Sequence, residues 1–287
     1  PQLLAWRNAS IPCALVTLVG IDGSSPRRVG SQMAVNIHGD YLGAISTGCA
    51  EAAIVTEAIG TIKLATNRTV RYGAGSKYID VVLPCGSGID IHFDATLSTR
   101  TLKHLTTEIA ARRRASLTLD LASATAPAQF TRNYDPVPRI IVAGRGVSVD
   151  FVARFAHTLE WDVIAASPDQ QTLARLTTVA RTFHLTQPDD FDPALIDAHS
   201  AVVLVFHDHD WEPAILAKCA ASPAFYIGAL GSRRTHAQRR DLLAMRGVPL
   251  AFTDAIHSPV GLDIGAKNPA EIALAIIAEI LSKTPAP

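Results

Sequence analysis

Gly228-Ala229-Leu230-Gly231-Ser232-Arg233-Arg234-Thr235-His236 holds the densest chemistry in the chain. Glycine lets a backbone turn tightly and approach a ligand closely. Ser232 is placed to cap the helical pattern that runs on through Ala237 to Met245. The free N–H groups and dipole of a helix start favour an anion. Arg233, Arg234 and His236 oppose that dipole, so an anionic ligand explains why positive charge gathers there. The competing reading is a surface helix with solvated arginines.

Two cysteine turns come earlier. In Ser46-Thr47-Gly48-Cys49-Ala50-Glu51 the thiol stands at the expected start of a helix. The helix dipole there lowers a thiol pKa and raises its affinity for soft metals; a nearby Glu51 carboxylate acts the other way. Cysteine is also at home as an inert core residue, and position alone leaves both readings open. Pro84-Cys85-Gly86-Ser87-Gly88, a glycine-rich turn after a strand, carries the same ambiguity. Cys13 and Cys219 sit in an apolar strand and an Ala-rich helix, and read as core.

Two more loops follow strands of the second half. Ile141-Val142-Ala143-Gly144-Arg145-Gly146 reads as strand, glycine turn and helix, like the first turn of a dinucleotide-binding unit. Val149 stands at the third glycine position, and Asp169 lies past the usual ribose-binding place. The glycine pair therefore speaks for the fold more than for a nicotinamide cofactor. His207-Asp208-His209-Asp210 follows a fully apolar strand, at the end where open α/β sheets bind ligands. His207 and His209 share a face if the strand continues, which allows joint metal binding. Otherwise Asp210 caps a helix beginning near Trp211.

The elements that position these loops fall into two sets. Before residue 121 the pattern is mixed α/β: strand Ala14 to Val19, a hairpin turning at Gly39-Asp40, and a helix from Ala50 to about Ala65. Val70 to Tyr72, Ile79 to Leu83, Ile89 to Phe93 and Leu117 to Leu121 read as strands, and Leu102 to Arg113 as a helix. Residues 122–138 lack periodicity and end in Asp135-Pro136-Val137-Pro138, so they read as a linker. From 139 onwards strands (140–143, 163–166, 201–206, 224–227) alternate with helices (147–159, 170–179). That alternation implies a parallel sheet covered on both faces, with the strand at 201–206 beside the one ending at Gly144. The last helix opens on Asn268, Pro269 and Glu271, a capping box. The expected domains are 1–121 and 139–287.

Composition agrees with a well-buried globular protein: 48% of the 287 residues are hydrophobic and only 18% charged. Net charge is zero, which gives no reason to expect nucleic acid or an anionic membrane as partner. Four irregularly spaced cysteines form neither a disulfide framework nor a paired metal motif. Pro1 to Ser10 lacks a secretory signal pattern, so the expected compartment is the cytoplasm.

Several blocks together resemble the XdhC/CoxI family of accessory proteins for molybdenum hydroxylases. In the first half they are Gly23-Ser24-Ser25-Pro26-Arg27, Gly30, Gly48-Cys49-Ala50-Glu51 and Cys85-Gly86-Ser87-Gly88. In the second they are His207-Asp208-His209-Asp210, the Tyr226 to His236 run, and Gly261-Leu262-Asp263-Ile264-Gly265-Ala266. The resemblance implies an N-terminal mixed α/β domain followed by a C-terminal Rossmann-like domain, and a homodimer. It implies a chaperone rather than an enzyme. Such a protein binds molybdenum cofactor, as molybdopterin or its dinucleotide form, and presents it to a cysteine desulfurase for sulfuration. It then helps insert the cofactor into an apo-hydroxylase such as xanthine dehydrogenase. On this resemblance Gly144, Gly146, Gly228, Gly231, Ser232, Arg233, Arg234 and His236 hold the phosphate or a nucleotide, and His207, Asp208 and His209 line the crevice. Cys49 and Cys85, flanked by Glu51 and Gly86, approach or shield the molybdenum. The rival functions are an NAD(P)-dependent oxidoreductase and a protein-interaction adaptor that binds no small molecule.

Overall fold

The structure, a computed structural model, describes residues 1–25, 27–46, 48, 50–76, 86–121, 128–206 and 210–284. The expected strand at 79–83 lies outside the described residues, as do Cys49, Cys85 and residues 207–209. The chain divides into two compact units, Pro1–Pro136 and Val137–Pro287.

The first unit runs α1 (Gln2–Asn8), β1 (Cys13–Asp22), β2 (Gln32–Asn36), β3 (Tyr41–Gly43), α2 (Glu51–Leu64), β4 (Arg68–Gly73), β5 (Gly88–Asp94), α3 (Thr99–Ala110), β6 (Ala115–Asp120) and β7 (Gln129–Tyr134). Its main sheet has the order β3-β2-β1-β5-β4, and every neighbouring pair is antiparallel. Strand β1 is central, and its side chains alternate between two cores as a period of two requires. Val16 and Leu18 face a cluster with Ile54 and Ala58 of α2. Cys13 and Leu15 face another, with Leu102 and Leu105 of α3 and Leu117 and Leu119 of β6. The hairpin forms at Gly39-Asp40, where Gly39 has φ +89°. Strand β7 falls within the segment expected to be a linker. It pairs with β6 from Gln129 to Tyr134, and its mostly polar, half-buried residues hide it from hydrophobic periodicity.

The second unit runs β8 (Arg139–Gly144), α4 (Val147–Thr158), β9 (Asp162–Ser167), α5 (Gln170–Ala174), β10 (Arg181–His184), β11 (Ser200–Val205), α6 (Glu212–Cys219), β12 (Tyr226–Ala229), α7 (Arg233–Met245), α8 (Leu250–Ala255) and α9 (Pro269–Lys283). Its sheet is wholly parallel in the order β10-β9-β8-β11-β12. Chain order reverses between β8 and β11, which places a switch point beside Gly144. Both faces are covered, so β8 and β11 read as unbroken apolar runs. Val142 and Val203 face α4 and α9, while Ile141, Val202 and Leu204 face Ile215 of α6 and Leu243 of α7. The capping box of α9 is present, with Asn268 Oδ1 accepting from Glu271 N at 3.0 Å and Glu271 Oε2 from Asn268 N at 3.4 Å. Helix α5 stops at Ala174 rather than Val179, because the β-branched Thr177, Thr178 and Val179 are poor helix formers.

Candidate functional site

The turn after β12 builds one wall of a cavity. Ser232 Oγ accepts from Thr235 N at 3.2 Å and caps α7 as expected. Gly231 has φ +134°, and a Cβ there would lie 2.7 Å from Thr235 Cγ2, so only glycine fits. The opposite wall is the loop at 259–266, laid against α9. Gly261 has φ +99°, and a Cβ there would stand 3.1 Å from Ile276 N. Gly261 N donates to Glu279 Oε2 at 2.7 Å and Leu262 N to Ala275 O at 3.2 Å. The cavity between these walls measures about 650 Å³, and its lining includes Gly231, Arg233, Val260, Leu262, Asp263 and Ile264. Arg233 and Asp263 are exposed, and among the described residues neither side chain makes a hydrogen bond or an ion pair.

Beneath the turn lies a buried ion pair that sequence reasoning missed. Arg239 and Glu212 are 1% and 2% exposed. Arg239 Nη2 donates to Glu212 Oε2 at 2.9 Å and to Leu230 O at 2.7 Å, and Nη1 donates to Ser258 Oγ at 2.9 Å. One guanidinium thus ties α6, the turn before α7 and the start of the 258–266 loop. The signal was a charge four residues before the buried Leu243, on the same face of α7. His236 lies 3.4 Å from Arg239 Nη1. Burial, and then the charges of Arg239 and Arg240, push its pKa down against the pull of Asp254. These effects favour the neutral imidazole at the helix start. Arg234 is exposed and lies off the cavity wall.

A second network holds the same loop from behind. The Tyr226 hydroxyl donates to Glu279 Oε2 at 2.5 Å, and His257 Nδ1 lies 2.9 Å from Glu279 Oε1. The Tyr226 and His257 rings stack 4.4 Å apart. Burial, with the Glu279 hydrogen bond and charge added, raises the Tyr226 pKa. Burial also pushes the Glu279 carboxyl up, but its bonds from Tyr226, Gly261 N and His257 outweigh that and hold it below the usual range. Gly228 is inside this packing: a Cβ there would sit 2.5 Å from Val260 Cγ2. It serves the close approach of strand and loop and does not reach the cavity.

At the switch point, Gly144 abuts β11, and a Cβ there would lie 2.7 Å from Val205 O. Gly146, with φ +73°, begins α4. A cleft of about 600 Å³ opens here, lined by Arg145, Gly146, Val147, Ser148, Pro168 and Asp169. Its polar groups are largely engaged. Gly146 N donates to Thr172 Oγ1 at 2.9 Å, and the Thr172 hydroxyl bonds Asp169. Asp169 also accepts from Gln171 N at 3.0 Å and Thr172 N at 3.1 Å. The Thr172 hydroxyl leads the causes that hold its carboxyl below the usual range, against desolvation and with the two backbone donors. Val149 is wholly buried where a third glycine would let helix and strand close up. Arg145 lies 5.6 Å over the Trp211 ring, which stacks on Phe206. Trp211, not Asp210, occupies the N-cap of α6, without a side-chain cap.

In the first unit, antiparallel pairing brings the ends of β1, β3 and β4 (Asp22, Gly43 and Gly73) and the starts of β2 and β5 (Gln32 and Gly88) to one end of the sheet. Gly23 and Ser87 approach so closely that a Cβ on Gly23 would lie 3.2 Å from Ser87 Cβ. Arg71 Nη2 bonds Asp22 at 2.9 Å and Nη1 bonds Asp90 at 3.0 Å, stapling β4 to β1 and β5 at that end. The Glu51 carboxylate accepts from Ser46 N at 2.9 Å, Ser46 Oγ at 2.5 Å and Gly48 N at 2.8 Å. Desolvation raises its pKa, yet these bonds win and the net shift is down. Glu51 therefore braces its own loop. Gly86 is exposed with φ +67°. Cys13 and Cys219 are buried, and burial pushes Cys219 up to about 12. Among the described residues no group of three or more His, Cys, Asp or Glu could hold a metal, and no helix is long and apolar enough to cross a membrane.

A five-stranded parallel sheet with a glycine turn at its switch point places the second unit in the Rossmann class. Residues 140–280 match the XdhC Rossmann domain, and residues 6–73 match the XdhC and CoxI family. The molybdenum cofactor insertion chaperone PaoD of Escherichia coli is 31% identical over 93% of this chain and 82% of its own length. A probable xanthine dehydrogenase subunit of Bacillus subtilis is 28% identical over 53% of this chain and 44% of its own length. A solved structure described as a xanthine dehydrogenase from Bacillus halodurans superposes with a TM-score of 0.79 at 23% identity, covering 98% of this chain and 94% of that one, and so shares the fold. The chain belongs to the XdhC and CoxI family.

Proposed function

We propose that this chain binds molybdenum cofactor and hands it to the apo form of a molybdenum hydroxylase such as xanthine dehydrogenase. The observation that carries the reading is Arg233, unpartnered among the described residues at the capped start of α7, on the wall of the 650 Å³ cavity. A cofactor that ends in a phosphate finds there a guanidinium and the unpaired N–H groups of a thirteen-residue helix. The likeness to PaoD, a chaperone by name, over 93% of the chain supports the same cargo.

Cys49 and Cys85 supply soft ligands suited to molybdenum, and sulfuration by a cysteine desulfurase precedes handover. The setting is the cytoplasm and the working form a homodimer, in keeping with a charged fraction of 18%. Asp169 is spent on capping α5, which weighs against a ribose-binding role and an NAD(P)-dependent oxidoreductase. The test is molybdenum and pterin content after purification from cells that make the cofactor. Wild type retains both, and Arg233→Ala retains far less. Equal content in the two proteins, or none in wild type, defeats the reading.

A further inference from the structure

The cavity that holds Arg233 also holds a charge of the opposite sign. Asp263 is the middle residue of a tight turn, in which Ile264 N donates to Leu262 O at 2.9 Å. Its carboxylate has no protein partner among the described residues, and Arg233 on the same cavity makes no ion pair with it. Leu262 and Ile264, on either side, are 43% and 54% exposed. A purely anionic guest would be repelled by Asp263, and a purely cationic one by Arg233. The lining instead suits a guest that offers hydrogen-bond donors to Asp263 and an anionic group to Arg233.

We infer that Asp263 reads the aminopyrimidinone edge of the pterin while Arg233 takes its phosphate, an assignment that rests on the cargo proposed above. In that ring the N3–H and the 2-amino group point the same way, and a carboxylate accepts both as a bidentate, charge-assisted pair. Guanine presents the same edge and adenine does not. The acidic residue therefore selects pterin and guanine alike against adenine. The isobutyl and sec-butyl side chains of Leu262 and Ile264 supply apolar contact to the ring.

The test uses the whole protein and three fluorescence or calorimetric titrations, with 6-hydroxymethylpterin, GMP and AMP. Wild type binds 6-hydroxymethylpterin, and GMP more tightly than AMP. Asp263→Asn weakens 6-hydroxymethylpterin roughly ten- to hundredfold, the loss expected of a hydrogen-bonded charged group. Arg233→Ala leaves that phosphate-free probe within about twofold, while weakening GMP and abolishing the competition of inorganic phosphate against GMP. Unchanged pterin affinity in Asp263→Asn, an equal loss for AMP, or no pterin binding by wild type would each overturn the assignment. The two readings fail separately. Asp263→Asn that retains molybdenum cofactor like wild type sinks the role of Asp263 alone. Asp263-dependent pterin binding by a protein that purifies without molybdenum sinks the cargo and supports the pocket.

Discussion

Arg239→Met removes the guanidinium from a pair in which both partners are almost wholly buried. The Glu212 carboxylate then stays in the interior without the two bonds, at 2.9 and 3.2 Å, that Arg239 supplies. Breaking a buried pair from one side costs about 3–5 kcal/mol, a large part of a domain stability of about 5–15 kcal/mol. At about 2–4 °C per kcal/mol for a domain of this size, the second unit should melt roughly 6–20 °C lower. Scanning calorimetry reads this directly. The double variant Arg239→Met, Glu212→Leu removes the stranded charge as well and should recover much of the loss. Arg239 also holds Leu230 O at 2.7 Å, so the single variant should lose cofactor even below its melting temperature. A melting shift under about 2 °C, or a double variant no more stable than the single one, would refute the reasoning.

Gly144→Ala drives a methyl group to 2.7 Å from Val205 O and should destabilise the second unit by about 1–3 kcal/mol in urea unfolding; a neutral result would mean β8 and β11 separate freely. Glu279 has a folded pKa below its ordinary value of 4.5, so its contribution is complete above pH 4.5 and fades as pH falls through the folded value. Glu279→Gln should therefore flatten the acid side of the second unit's stability profile, and an unchanged acid slope would contradict the network with Tyr226 and His257. Cys49→Ser should lower activation of the client hydroxylase without shifting the first unit's melting temperature, whereas full activation would return this thiol to the inert class.

Most of the second unit was legible because its central strands are buried on both faces: Ile140 to Ala143 and Ala201 to Val205 are unbroken apolar runs between helical patterns. Glycine and capping residues at Gly146, Ser232 and Asn268 marked the helix starts for the same local reasons that the structure uses them. Strands β7 and β10 were not legible, since Gln129–Tyr134 is mostly polar and only half-buried and Arg181–His184 is largely exposed. Nor were the pairs Arg239 with Glu212 and Tyr226 with Glu279, which join residues 27 and 53 positions apart. Such partners meet only through tertiary packing, which local sequence patterns do not encode. The cradle at Gly231 to Arg233 was visible from residue types alone. That the Gly261 to Ala266 loop forms its other wall depends on how closely Gly261 approaches α9.

A crystal structure of the protein with molybdenum cofactor bound tests the central claim most directly. The cofactor phosphate should lie within hydrogen-bonding distance of the Arg233 guanidinium and the first amides of α7. A cofactor seated elsewhere, with water alone at Arg233, would contradict the account.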